Sequence, residues 1–106
     1  MRQLPTSYFV IHQDFEALGF EAIVDEHTTD RVTVVKHLAD GQWPSVDRVD
    51  FVDLRAGKVS DVSRAVLSEA RTLLASRRDH DFPEHLADFD LAIFTREQAE
   101  ARGAAA

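Results

Sequence analysis

The residues of this sequence best suited to acid–base or metal chemistry are its five histidines: His12, His27, His37, His80 and His85. Imidazole titrates near neutral pH and is a common zinc ligand. His80 and His85, with an aspartate on each side of His80, form the densest group. These two histidines are five residues apart with Pro83 between them, whereas two histidines that bind one metal from a helix are usually four apart. The spacing therefore predicts no metal site.

Acid–base catalysis has one candidate base, His12, which a predicted strand carries close to Asp14. The sequence offers it no nucleophile, because no serine stands in a Gly-x-Ser-x-Gly setting and the chain has no cysteine. No glycine-rich phosphate loop or dinucleotide-binding motif is present. We expect no catalytic residue and no cofactor. A pocket that holds His12 or His37 beside a buried carboxylate would favour a small enzyme.

Three arginines, Arg64, Arg71 and Arg78, are spaced by seven residues on a predicted helix. Seven residues are close to two helical turns, so the three side chains stay within about 40° of one stripe. The guanidinium fork suits an acidic partner or a phosphate. The alternative is a solvated helix face paired loosely with Glu69 or with the acidic first half of the chain.

The only tryptophan, Trp43, lies in the stretch LADGQWPSVDRV at residues 38–49. Gly41 suits the left-handed position that ends a helix, and Pro44 prevents the helix from resuming. A tryptophan just past such an end usually folds back on the last helical turn and buries its ring. We predict this structural role. Because tryptophan is also enriched at binding hot spots, Trp43 stays with the three arginines as a candidate interaction residue.

Hydrophobic periodicity predicts the element order β-β-α-β-α-α. Strands are expected at 8–12, 20–25 and 46–54, and a wide antiparallel hairpin joins the first two. Helices are expected at about 30–40, after a cap at Ser60 or Asp61, and from Pro83 onward. The first helix stripe would be Val32, Val35, Leu38 and Ala39. A change of face between Phe51 and Val52 predicts a bulge or burial on both sides of the third strand.

The predicted fold class is α+β, a three-stranded, mainly antiparallel sheet with helices packed on one face. The helices would cover Phe9, Ile11, Val24 and Phe51 or their neighbours. The open face would carry a few apolar residues, among them Val10 and Ile23. Such a face, or an edge strand, would allow self-association.

The length of 106 residues and the 44% hydrophobic content predict a single domain over 1–106, with 1–6 and about 96–106 frayed. The longest uncharged apolar run, at residues 8–11, is far too short to cross a bilayer, and the first residues lack the apolar stretch of a secretory signal. We expect a cytoplasmic protein that does not bind membranes.

The net charge is −7, and residues 1–53 hold 10 acidic against 4 basic side chains. Nucleic-acid binding depends on clustered Lys and Arg, so direct binding to DNA or RNA is disfavoured. The acidic half suggests a different hypothesis, in which six carboxylates imitate a phosphate track and occupy a nucleic-acid-binding protein. They are Asp14, Glu16, Glu21, Asp25, Glu26 and Asp30.

Three short motifs resemble a pattern in small uncharacterised bacterial proteins: DGQW at 40–43, DRV at 47–49 and GKVSDVS at 57–63. The likeness covers about residues 8–89. This chain has Val59 and Ser60 near the point where such proteins usually show Trp and Arg. That group has no established activity, so the resemblance implies a bacterial accessory protein and no mechanism.

Two functions remain from different classes. The first is a non-enzymatic module that binds another protein, or a second copy of itself, through the open sheet face, Trp43 or the arginines. The second is the acidic decoy.

Overall fold

The computed structural model describes residues 6–77 and 83–105. Four strands are present, namely β1 (Ser7–Asp14), β2 (Phe20–Ile23), β3 (Val46–Asp53) and β4 (Lys58–Asp61). The helices are α1 (Arg31–Ala39), α2 (Ser63–Ser76) and α3 (Glu84–Ala105), and single 3-10 turns lie at Glu16–Leu18 and Glu26–Thr28. Within the described residues, none of the helices combines the length and the apolar character needed to span a membrane.

The sheet has the strand order β2-β1-β3-β4, and every neighbouring pair is antiparallel. The α+β class and the antiparallel first hairpin are confirmed. The prediction of three strands is wrong, because β4 adds a fourth strand at the edge. The segment that forms β4 has a single apolar residue, Val59, and all four of its side chains are exposed, so it carries no burial pattern. Backbone pairing with β3 holds it in place.

One face of the sheet packs against the helices and forms the core. Phe9 and Ile11 of β1 and Val49 of β3 are buried there. The helices contribute Val34 and Leu38 from α1, Val66, Leu67 and Ala70 from α2, and Leu86, Phe89 and Ile93 from α3. The alternation of side chains along β1 thus separates a covered face from an exposed one.

Several residues lie on different sides from those predicted. Ile23 pairs with Ile11 and packs against the core, so it belongs to the covered face, not the open one. Val24 follows the end of β2 and is half-exposed. On α1, Val32 is 61% exposed, and Val34 takes the buried position. In each case the contacts with the neighbouring element, rather than the local pattern, decide which side is buried.

The irregularity in β3 lies at Asp47, five residues before the predicted place. His12 pairs with Arg48 and Gln13 pairs with Val46, which leaves Asp47 without a partner on β1. One extra residue of this kind is a β-bulge, and it re-aims the side chains around it. From Arg48 to the end of β3 the pairing is regular.

The ends of α1 follow the local sequence signals. The Asp30 carboxylate accepts a hydrogen bond from the Thr33 backbone N–H at 3.2 Å, which caps the first turn. Gly41, just past the helix, has a φ of 75°, and a Cβ there would lie 3.4 Å from the His85 ring. The predicted bounds of about 30–40 are confirmed to within a residue.

Helix α3 is longer than the predicted apolar stripe. It continues to Ala105, through the segment predicted to fray, and the side chain of Arg96 within that segment is largely buried. Arg96 donates to the Asp47 carbonyl oxygen at 2.8 Å and to the Asp61 carboxylate at 2.9 Å. The contacts fix the middle of α3 to both ends of the β3–β4 hairpin.

Ser63 connects α2 to the central part of the sheet. Its buried hydroxyl accepts from the Val49 backbone N–H at 2.8 Å. Because β4 ends at Asp61, this hydroxyl satisfies a buried amide of β3 that has no strand partner at this point. The helix therefore begins at Ser63, not at the predicted cap.

We expect Ser63→Ala to lower the free energy of unfolding by about 1–3 kcal/mol, because it leaves the buried Val49 N–H unsatisfied. Urea denaturation followed by circular dichroism measures this change. The matched control is Ser68→Ala on the exposed side of the same helix, which should shift stability by about 0.5 kcal/mol or less. Equal effects of the two substitutions would contradict the role given to Ser63.

Candidate functional site

The sheet face turned away from the core is the largest surface on which apolar and titratable side chains occur together. We call it the outer face. Register places on it Tyr8, Val10, His12 and Asp14 of β1, Phe20 and Ala22 of β2, Arg48, Asp50 and Val52 of β3, and Val59 and Asp61 of β4. Each of these residues except Asp50 keeps part of its surface exposed.

One end of the outer face is apolar. Tyr8 pairs with Val52, and Val52 pairs with Val59, so the three side chains form a row across three strands. Val10 follows Tyr8 on the same side of β1. Val59 is 65% exposed at the edge of this row. Cross-strand neighbours of this kind stabilise a sheet modestly, and here they also form a continuous exposed apolar surface.

The other end of the outer face is held by Asp50. Its side chain is nearly buried, and its two carboxylate oxygens contact His12 Nε2 at 2.9 Å and Arg48 Nε at 2.8 Å. The hydrogen bond to Asp50 raises the pKa of the Arg48 guanidinium, so the arginine stays charged. A buried carboxylate requires such partners, because desolvation disfavours the ionised form.

This arrangement assigns a tautomer to His12. An ionised carboxylate only accepts hydrogen bonds, so His12 Nε2 must carry the proton that it shares with Asp50. In the neutral imidazole Nδ1 is then an acceptor. The carboxylate orients the ring, as second partners commonly do for functional histidines.

Asp61 and Arg96 form the boundary of the site toward α3. Burial pushes the pKa of Asp61 upward, but hydrogen bonds from Ser63 and Arg96 outweigh it, and the pKa lies below its usual value. The Ser63 backbone N–H donates to Asp61 at 2.9 Å, and the Arg96 guanidinium donates at the same distance. Asp61 is therefore an ionised structural carboxylate.

A pocket of about 500 Å³ adjoins His12. It is lined by His12, Gln13, Phe20, Glu21, Ala22, Asp47, Arg48 and Arg96. Burial, together with the neighbouring charge of Asp14, raises the pKa of Asp47 above its ordinary value. The pocket thus brings together an oriented imidazole, an arginine and a carboxyl group that is readily protonated. It meets the condition stated above for a small enzyme, a pocket that holds His12 beside a buried carboxylate.

Trp43 lies in the core and is 7% exposed. Its ring stacks on His37 with centroids 5.4 Å apart, and His37 is 5.0 Å from His27 in the same stack. His37 Nδ1 is buried, and it finds no hydrogen-bond partner among the described residues. The burial of Trp43 is what the structural interpretation predicts, and it leaves little of the ring for a partner.

The predicted arginine stripe contacts α3. Arg64 donates to Asp90 at 2.7 Å and also pairs with Glu97, while Arg71 donates to Asp90 at 3.0 Å. These hydrogen bonds, from Glu97 and then Asp90, raise the pKa of Arg64. Arg78 lies outside the described residues. Glu69, the predicted partner within α2, pairs with Arg31 of α1 instead. The stripe joins helices, so its arginines are partly occupied.

The six carboxylates proposed as a phosphate track are used in different ways. Asp14, Asp25 and Asp30 each accept a hydrogen bond from a nearby backbone N–H. Asp14 and Glu21 pair with Phe20 and Gln13, so the register directs them to opposite faces of the hairpin. These placements argue against one continuous acidic track.

The sequence singled out His12 but placed it beside Asp14, whereas its partner is Asp50, 38 residues away. Asp50, Arg48 and Arg96 were not predicted. The alternation of charged and apolar residues in DRVDFVD at 47–53 is the signal that could have found two of them, because it places Arg48 and Asp50 on the same side of a strand.

Among residues 6–77 and 83–105, no group of three or more metal-ligating side chains is close enough to hold an ion. His80 and its flanking aspartates lie outside that range. No family model, curated protein or solved structure matches this chain. The resemblance to small bacterial proteins stays a prediction.

Two aspartates that contact Arg96 are expected to affect stability with opposite sign. Since the folded-state pKa of Asp47 lies above the ordinary value of 3.8, its ionisation lowers stability as the pH rises through the folded pKa. Asp61 has a lowered pKa, so its contribution is present above the ordinary value and is lost as the pH falls. Asp47→Asn should therefore raise, and Asp61→Asn should lower, the free energy of unfolding at neutral pH.

Solvent screening limits the Asp47 effect to roughly 0.5 kcal/mol or less. Urea denaturation at neutral pH and in acid measures both differences, which should shrink in acid. A change of the same sign in both variants at neutral pH would contradict these assignments.

Proposed function

We propose that this protein is a non-enzymatic interaction module that associates with a second copy of itself through the outer face. The supporting observation is the exposed apolar row of Tyr8, Val52 and Val59 on a sheet whose other face is filled by helices. An exposed, contiguous apolar patch is typical of a contact surface. A cytoplasmic location and the absence of a catalytic role are parts of the same proposal.

The face of the sheet suits association better than its edges. Both edge strands, β2 and β4, have only four residues, and they carry Glu21, Lys58 and Asp61. Short strands with charged side chains are the usual means by which proteins prevent edge-to-edge pairing. The apolar row has no such protection.

The size of the face indicates a weak and reversible dimer. Four strands about 4.8 Å apart, with β1 and β3 rising about 3.3 Å per residue, give a face of roughly 20 by 25 Å. That is roughly 500 Å² on each copy, near the lower limit for a specific interface. We therefore expect dissociation constants in the micromolar range or weaker, about 1 μM to 1 mM.

The charges on the outer face allow an identical partner. The face holds His12 and Arg48 together with Asp50 and Asp61, so charges of both signs are available for complementary contacts. Elsewhere two copies repel each other, because each has a net charge of −7.

Val59→Lys should abolish self-association, because it places a charge in the exposed part of the apolar row. Sedimentation equilibrium over a range of protein concentrations measures the dimer. The matched control is Val32→Lys on α1, where the valine is exposed to a similar extent, 61% against 65%. This control should dimerise as the unmodified protein does. A monomer at all concentrations, or equal loss in both variants, would refute the proposal.

Salt separates a second copy from a basic partner. For two copies of a protein with a net charge of −7, added salt screens the overall repulsion and should strengthen dimerisation. A complex of the acidic protein with a basic protein would weaken instead. Sedimentation at low and high ionic strength gives the sign, and a dimer that dissociates as salt is added would contradict the proposed balance of forces.

A further inference from the structure

The pocket beside His12 contains donor groups that the fold does not use. Arg48 contacts Asp50 at 2.8 Å and Asp61 at 4.0 Å, and both contacts run through Nε. Its two terminal nitrogens have no hydrogen-bond partner among the described residues. The Arg48 side chain is 40% exposed and lines the pocket, so these N–H groups are available to a ligand. Such a fork binds a carboxylate or a phosphate oxygen well.

His12 adds the opposite requirement. Its Nε2 is engaged by Asp50, which leaves Nδ1 of the neutral ring as an acceptor. An acceptor repels a fully deprotonated oxyanion but binds a hydroxyl group. A ligand that satisfies both residues must therefore offer anionic oxygens to Arg48 and an O–H to His12.

We propose that this pocket binds a phosphate group that carries one proton, either as inorganic phosphate or as a phosphate monoester. A single such group has oxygens that accept from Arg48 and a hydroxyl that donates to His12 Nδ1. The exposed ring of Phe20 lines the same pocket and offers an apolar wall to the organic part of a monoester. The inference goes beyond the proposed self-association, on which it does not depend.

The surrounding charges make the binding weak. Glu21 and Asp47 line the pocket and oppose an anion. Burial and the charge of Asp14 raise the pKa of Asp47, which reduces its opposition where the carboxyl is protonated. With one arginine fork and one further hydrogen bond, we expect a dissociation constant of about 1 mM.

Phosphate and sulfate distinguish this site from a general anion site. At neutral pH inorganic phosphate keeps at least one proton and sulfate keeps none, although the two ions have similar size and shape. NMR titrations at constant ionic strength, with protein dilute enough to be monomeric, should show phosphate binding about tenfold more tightly than sulfate. Phenyl phosphate, compared with inorganic phosphate, tests the contribution of the Phe20 wall.

Variants assign the two roles. Arg48→Gln should weaken phosphate binding at least about tenfold, because charged hydrogen bonds are the stronger ones. His12→Ala should remove the preference for phosphate over sulfate. The matched control, Arg64→Gln, removes an arginine that pairs with Asp90 and Glu97 on the far helices and should leave binding unchanged.

A measurement on the unmodified protein covers the case in which a variant fails to fold. The imidazole nitrogen shifts of His12 report the Nε2–H tautomer and should move on addition of phosphate, but not of sulfate. Equal binding of the two ions, no saturable change at His12, or full binding by Arg48→Gln would overturn the proposal. None of these results bears on the dimer, which Val59→Lys tests separately.

Discussion

The pairing of β1 with β3 is the interaction on which both the core and the candidate site depend. The same register that sets Ile11 against Val49 in the core sets His12 beside Arg48 on the outer face. A slip of one residue would exchange the two faces of β1 and would expose Phe9 and Ile11 to water. Burial of the apolar face therefore fixes the register strongly. The polar residues of the outer face are positioned by that burial and not by their own contacts.

The parts of the fold that could be predicted are those with strong local signals. Helix α1 begins after Asp30 and ends before Gly41, and both ends follow from capping chemistry within a few residues of sequence. Strand β4 has no such signal, because its four exposed residues are held by hydrogen bonds to β3. The candidate site was missed for a similar reason. His12 meets Asp50 only through the register of two strands that lie 38 residues apart, and no local pattern in the sequence fixes that register.

Asp50 gives the outer face its chemical asymmetry. It is 8% exposed, and a carboxylate so deeply buried is stable only because His12 and Arg48 together satisfy it. The three groups therefore act as one unit at one end of the face, while Tyr8, Val52 and Val59 occupy the other. A partner that set its apolar row against this unit would leave charges without compensation. The asymmetry thus disfavours wrong orientations as well as favouring the right one.

The two proposed activities share one face, and this determines the sign of their coupling. A bound phosphate adds negative charge to a protein that already carries −7, so two loaded copies repel each other more than two empty ones. Because binding energies are linked reciprocally, a second copy on the outer face must then weaken phosphate binding by the same factor. The pocket lies at the polar end, away from the apolar row, so direct steric competition is not required. The coupling then comes mainly from charge, and added salt reduces it.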